Sequence, residues 1–356
     1  MGKGGSIMQT FLAFIFVIGI LVMFHETGHF LVAKRMGIGV EVFAFGFGPT
    51  LVSKRWGETV YKINLFPLGG YVKMVGEEGE SQAENSFIKK SPGQRMLVII
   101  AGPLMNLVLA LLIFCLAGIV FGLPDKTSNV VLRVVEGMEA ERIGLKPGDK
   151  IIAINDKKIT DGGQMIKIIH RSANKRLRLQ IEREKKRFYL YATPKLSTLQ
   201  GKKVGLIGFN PKPIMKRYGP LPSISIGVKQ TAFLTWKVIE GVGGIFKRLL
   251  RGEDPQVGGP VLIAQMAGQA AQFGLGSLLF FLAFLSVNIG VLMVLPLPAL
   301  DGGHLVFLGI EAIRGKPIDP QKENFVHTLG FAFLILLMVI ITYGDLVRKM
   351  PKIGVP

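Results

Sequence analysis

Four long apolar stretches punctuate the chain. The first runs from Ile7 to Phe24 and continues through HETGHFLVA; the others are Met96 to Phe121, Leu278 to Leu300 and Leu329 to Tyr343. Each approaches the roughly 20 apolar residues that a helix needs to cross a bilayer. The first follows Lys3 as a secretion signal would, but it has no small-x-small cleavage site before His25, so it is expected to remain as a helix of the mature protein. Between the first two stretches the pattern changes. GIGVEVFAFGFGPTL is Gly-rich and apolar without a helical period, and SKRWGETVYKINLFPLGGYVKM alternates, with a turn at Trp56–Glu58. Residues 37–75 therefore predict β-hairpins against the membrane. Lipid cannot satisfy the edge of such a hairpin, so the edge must line a protein cavity or pair with something. Between the second and third stretches, NVVLRVV, IIAIN, RLRLQIE and KRFYLYATP read as strands and GGQMIKIIHRS as a short amphipathic helix. Asn129 to Pro213 is thus one small α+β domain. FLTWKVIEGVGGIFKRLL, within 214–277, combines apolar and basic residues as an interfacial helix does.

The expected fold is a polytopic α-helical membrane protein with four transmembrane helices, membrane-associated β-hairpins and one inserted α+β domain. Its segments are 1–36 (first helix), 37–95 (β region), 96–121 (second helix), 122–213 (inserted domain), 214–277 (linker with interfacial helices), 278–302 (third helix), 303–327 (loop) and 328–356 (fourth helix and tail). Composition agrees: 49% of the 356 residues are hydrophobic and mean hydropathy is +0.43. The net charge of +19 would point to nucleic acid in a soluble protein, but no nucleic-acid-binding motif is present. Lys and Arg instead flank the apolar stretches, where anionic lipid headgroups attract them. Residues 34–95 and 303–327 hold most of these flanking cations. This places both segments in the cytoplasm, and the termini and the inserted domain outside. The single cysteine, Cys115, permits no intrachain disulfide.

Ionisable groups inside a spanning segment are costly and mark function. His25-Glu26-Thr27-Gly28-His29 is an H-E-x-x-H: residues four apart on a helix share a face, so both imidazoles can reach one Zn²⁺. Glu26, beside that face, is placed to act as base toward a water that the metal acidifies. A catalytic zinc needs a third protein ligand. Asp301, in LPLPALDGGH, is the strongest candidate, although a helix-end aspartate is the plainer alternative; His304 competes with it. His170 and His327 read as ordinary surface or interfacial histidines.

HETGH in a first span with LDG in a later one resembles the site-2 protease family of intramembrane zinc metalloproteases. AGPLMN (Ala101 to Asn106), INLFPLGGYVKMVGE (Ile63 to Glu77) and SVNIGVLMVLPLPALDGG (Ser286 to Gly303) extend the resemblance over nearly the whole chain. It is nearest to the RseP-type branch, which carries PDZ domains between spans two and three. The resemblance implies zinc on His25, His29 and Asp301, with Glu26 as catalytic acid/base. It implies substrate handling by Asn106, Asn288, Pro296 and Pro298, and an edge strand Gly69-Gly70-Tyr71-Val72-Lys73-Met74 that pairs with an unwound substrate. Met293 stands where the family commonly has a second Asn. The inserted domain is then PDZ-like, with room for one such module, and GLIGF (Gly205 to Phe209) is its candidate carboxylate-binding loop.

The function expected is cleavage within or near the transmembrane segment of single-pass proteins, anti-sigma factors or signal-peptide remnants among them. A non-catalytic PDZ scaffold would have no need of Glu26. A metal transporter would string further polar residues along its spans, and spans one, two and four are poor in these.

Overall fold

The computed structural model describes residues 3–77, 83–199, 202–253 and 258–347. In chain order its elements are α1 (Lys3–Arg35), β1 (Val40–Trp56), β2 (Thr59–Met74), α2 (Pro92–Val120), β3 (Leu123–Val134), α3 (Glu139–Arg142), β4 (Lys150–Ile154), β5 (Lys157–Lys158), α4 (Gly162–Arg171), β6 (Leu177–Arg183), β7 (Lys186–Ala192), β8 (Lys195–Leu199), β9 (Lys202–Leu206), β10 (Phe209–Lys216), α5 (Pro220–Leu250), α6 (Pro260–Gln272), α7 (Leu275–Met293), α8 (Asp301–Arg314) and α9 (Pro320–Val347). The chain divides into two compact units, one built from the segments before residue 120 and after 218, the other from the residues between.

The first unit is helical. Four of its helices are long and apolar enough to cross a membrane, over Ile7–Arg35, Pro92–Val120, Leu275–Met293 and Gln321–Asp345. Its core joins Val17 and Leu21 of α1, Leu109, Ala110 and Phe114 of α2, Ala267 of α6, and Leu282 and Val287 of α7. FLTWKVIEGVGGIFKRLL forms the C-terminal part of α5 and is largely exposed, and the linker also holds α6. α6 packs on α1, with Gly268 seated against Thr10, and the Asp345 carboxylate of α9 accepts from the Gly259 and Leu262 amides at its N-terminus, at 3.0 and 3.2 Å. A carboxylate there satisfies amides that open the helix and meets its positive end. The third span is also shorter than its apolar run. α7 stops at Met293 because Pro296 and Pro298 lack the amide and clash with a preceding turn. Residues 294–300 form an irregular turn, and α8 occupies the first half of what was expected to be a loop. Arg95 in the first turn of α2 pairs with Glu311 of α8.

β1 and β2 are long strands that bend and pair more than once. Val42 faces Lys73 and Phe45 faces Gly70, an antiparallel ladder. Val42 also faces Val60 and Phe45 faces Ile63, so these two segments run the same way, while Val52–Trp56 closes a hairpin on Thr59–Ile63. Laid side by side, the ribbons run 70–74, 40–45, 60–63, 52–56. Val72 and Met74 on the first ribbon pack with Ala33 of α1 and Val98 of α2.

The second unit is an α+β domain. Its sheet has the order β10-β3-β4-β6-β7, with β5 beside β4 and a separate β8–β9 hairpin. Alternation along β6 sends Leu177, Leu179 and Ile181 into a core with Ile151, Met165 and Ile207. Asp149 is held there by Arg183 at 2.6 and 2.7 Å. Ile207, in the middle of GLIGF, is buried in that core, and its carbonyl accepts from the Ala140 amide at 2.6 Å. The expected tail beyond 347 lies outside the described residues.

Candidate active site

The H-E-x-x-H lies in the unbroken C-terminal half of α1, and both of its histidines are buried. The helix repeat stacks His25 and His29 on one face, where their Nε2 atoms are 3.1 Å apart. Asp301, the first residue of α8, brings its Oδ2 to 3.2 Å from His25 Nε2 and 3.6 Å from His29 Nε2. Oδ2 is buried and has no hydrogen-bond partner among the described residues. Three donors bound tetrahedrally to zinc at the usual 2.0–2.2 Å would be separated by about 3.3 Å. The three spacings fall around that value, so the donor set fits zinc in chemistry and in size.

The surroundings set the tautomers. His29 Nδ1 lies 2.9 Å from the Val98 carbonyl of α2 and donates to it, which leaves the Nε2 lone pair for a metal. Asn106, fully buried on α2, has its amide 3.3 Å from His25 Nδ1, and its Oδ1 is otherwise unpartnered. The two amide atoms have the same shape. Turning Oδ1 toward His25 lets it accept from Nδ1–H and frees Nε2 in the same way. Ser286 of α7 donates to the Asn106 carbonyl at 2.7 Å, tying the third span to this point.

Glycines allow these close approaches. A Cβ on Gly28 would strike the Ala101 carbonyl carbon at 2.7 Å, so α1 and α2 meet there only through a bare backbone. A Cβ on Gly102 would strike His29 Nε2 and the His25 ring, so Gly102 forms the floor beneath the two imidazoles. Gly302 and Gly303 follow Asp301 in the first turn of α8. Neither has a positive φ. What they lack is a Cβ: it would hit the Val294 and Leu295 carbonyls at Gly302, and that of Leu297 at Gly303. The irregular turn therefore folds back over the start of α8.

Glu26 is half-buried beside the histidines, and the Val72 amide faces its carboxylate. Gly70 lies against the same side chain, where an added Cβ would come 3.2 Å from Glu26 Cγ. The Gly69–Met74 segment is thus brought to Glu26, and among the described residues only β1 pairs with it as a strand. Asn288 and Pro296 are not gathered in the same way. The Asn288 amide donates to the Phe284 carbonyl one turn back on α7, at 2.8 Å, and Pro296 is exposed. Pro298 packs on Gly330 of α9. His304 takes Glu323 as its partner at 3.2 Å and is not part of the ligand set. Sequence reasoning gave no part to Val98 or to His327. A small residue in a spanning helix, such as Gly102 beside Pro103, signals a close helix crossing; nothing in the sequence marks Val98, because it contributes only a carbonyl.

The profile of peptidase family M50 matches residues 13–337. The chain belongs to that family. It is 35% identical to the zinc metalloprotease RasP of Geobacillus kaustophilus, over 95% of this chain and 98% of that protein. It is 32% identical to the regulator of sigma-W protease RasP of Bacillus subtilis, over 96% of this chain and 99% of that one. This M50 chain is a zinc metalloprotease of the site-2 class, and its cofactor is zinc.

Proposed function

We propose that this protein cuts single-pass membrane proteins within or near their transmembrane segment, with His25, His29 and Asp301 holding zinc and Glu26 moving the protons. The observation that carries the reading is the convergence of three buried donor atoms at 3.1–3.6 Å beside one carboxylate that is not among them. Zinc, when bound, supplies Lewis acidity toward the scissile carbonyl and toward water. The Glu26 carboxylate takes a proton from the attacking water and returns it to the leaving nitrogen. Asn106 and the Val98 carbonyl hold the two imidazoles in orientation.

A helical substrate hides its carbonyls in i→i−4 bonds and must be extended before attack. The Gly69–Met74 edge is assigned to that task, because a strand edge offers replacement backbone bonds and this one lies against Glu26. Asn288, Pro296 and Pro298 are assigned to the approach of the substrate, not to the metal. Residues 34–95 and 303–327 are placed in the cytoplasm of a bacterium, and residues 120–218 outside as a PDZ-like module that sorts peptides. Anti-sigma factors and signal-peptide remnants are the substrate classes that fit; one relative's name includes regulation of sigma-W.

Co-expression with a tagged single-pass substrate lacking its outer domain tests this. Glu26→Gln should reduce the shorter product by about a thousandfold, the scale of a lost general base, and retain zinc. Cleavage by Glu26→Gln at the wild-type rate would remove the proposed base.

A further inference from the structure

His327 of α9 sits beside the turn that delivers Asp301. Its Nδ1 accepts from the Ala299 amide at 3.0 Å, two residues before Asp301. Its Cε1 would touch a Cβ placed on Gly303, two residues after Asp301. One helical turn further along α9, Gly330 packs against Pro298 of the same turn. The turn needs such support. It makes no regular ladder, and Ala299 is held at φ +70°, a conformation that alanine rarely adopts.

His304, Glu323 and His327 also each offer a donor atom within 4.8 Å of the others, as a second cation site would. The ring geometry argues against that reading. An ion shared by two imidazoles lies near the plane of both rings, whereas these rings stack face to face, 3.8 Å apart and 15° from parallel. The His327 Nδ1 lone pair is already taken by Ala299, so Nε2 carries the proton. Nε2 has no partner among the described residues. The Ala299 amide is therefore the hydrogen bond that fixes the ring.

We infer that His327, on the last membrane span, is a positioning residue that fixes the Asp301 carboxylate through the Ala299 backbone. The inference rests on the assignment of Asp301 as a zinc ligand. His327 touches neither metal nor substrate; it determines where the third ligand stands. Outer groups of this kind change metal affinity without changing the donor set.

The test uses full-length protein in detergent, with zinc affinity read by chelator competition and turnover read on the tagged substrate. The variants are Asp301→Asn, His327→Leu, His327→Asn and His327→Gln. The Asn oxygen sits where Nδ1 does, whereas Gln reaches to the position of Nε2. Zinc affinity should fall about tenfold in His327→Leu and His327→Gln, with kcat reduced more than KM, and His327→Asn should restore both. Asn and Gln are both polar and of similar size, so a difference between them reports the acceptor and not the fold. If all three His327 variants bind zinc like wild type while Asp301→Asn binds it weakly, the inference is wrong and the ligand assignment stands. Equal loss in Asn, Gln and Leu also overturns it, because packing alone would then account for the effect. Unchanged affinity in Asp301→Asn overturns the ligand assignment and the inference together.

Discussion

The two halves of the proposed zinc site are built differently. His25 and His29 ride on one continuous helix, and their spacing alone brings Nε2 to within 3.1 Å of Nε2. Asp301 opens α8 directly after an irregular turn, residues 294–300, against which His327 and Gly330 of α9 pack. A helix carries its own geometry in its backbone bonds, so ligands four residues apart need only tautomer control. A turn has no such ladder, and its ligand stands where neighbouring elements hold it. The difference teaches where each half is vulnerable: the helix half to what touches its rings, the turn half to what touches its backbone.

The largest expected effect tests the turn half. Gly302→Ala forces a methyl group onto the Val294 and Leu295 carbonyls, which are backbone and cannot swing away. Overpacking of that kind typically costs 1–3 kcal/mol. Expressed at the ligand, about 10- to 100-fold weaker zinc binding follows, with cleavage lost in parallel at limiting zinc. Chelator competition on the purified variant measures it. Wild-type affinity would mean that the turn slides without moving Asp301, and the contrast between the halves would fail.

The same contrast explains what could be read without a structure. H-E-x-x-H is a local pattern whose geometry follows from 3.6 residues per turn, so His25, Glu26 and His29 could be read together. The four spans were legible because hydrocarbon demands length and apolarity, although the third was drawn past Met293, where α7 ends, by an apolar run that Pro296 and Pro298 interrupt. Asp301 could be nominated from its position at the end of a span, but its approach to the histidines depends on tertiary packing. The parts that could not be read act through backbone or through absence. Val98 offers a carbonyl that any residue has, and Gly302 matters for a methyl group it does not carry. His327 was read as an ordinary interfacial histidine because its partner, Ala299, is 28 residues away and donates only an amide. The multiple pairing of β1 and β2 was likewise hidden, since alternation reports a strand's faces and not its partners.

A smaller effect is expected in the helix half. Gly102→Ala places a methyl group against His29 Nε2 and the His25 ring. Side-chain tips can shift where backbone cannot, so the imidazoles should tilt and survive as ligands. Zinc binding about tenfold weaker is the expected size, typical of a disturbed outer shell. Combining Gly102→Ala with Gly302→Ala sharpens the comparison. Independent halves would add in free energy; a combined loss well short of the sum would mean that the ligands adjust as one body.

The smallest effect separates strain from support. Ala299 at φ +70° pays about 1–2 kcal/mol for a left-handed backbone. Glycine removes that penalty but loses roughly 0.5–1 kcal/mol more chain entropy on folding. Ala299→Gly should therefore stabilise the protein by no more than about 1.5 kcal/mol, raising its thermal midpoint by up to about 2 °C. Zinc affinity should not change, because the amide that donates to His327 is retained. If the positive φ itself holds the turn, the freer glycine will loosen it, and zinc affinity will fall even as the midpoint rises. The two readouts moving in opposite directions would place the rigidity of the turn half in its own strained backbone, and α9 would then be a neighbour of the site and not its support.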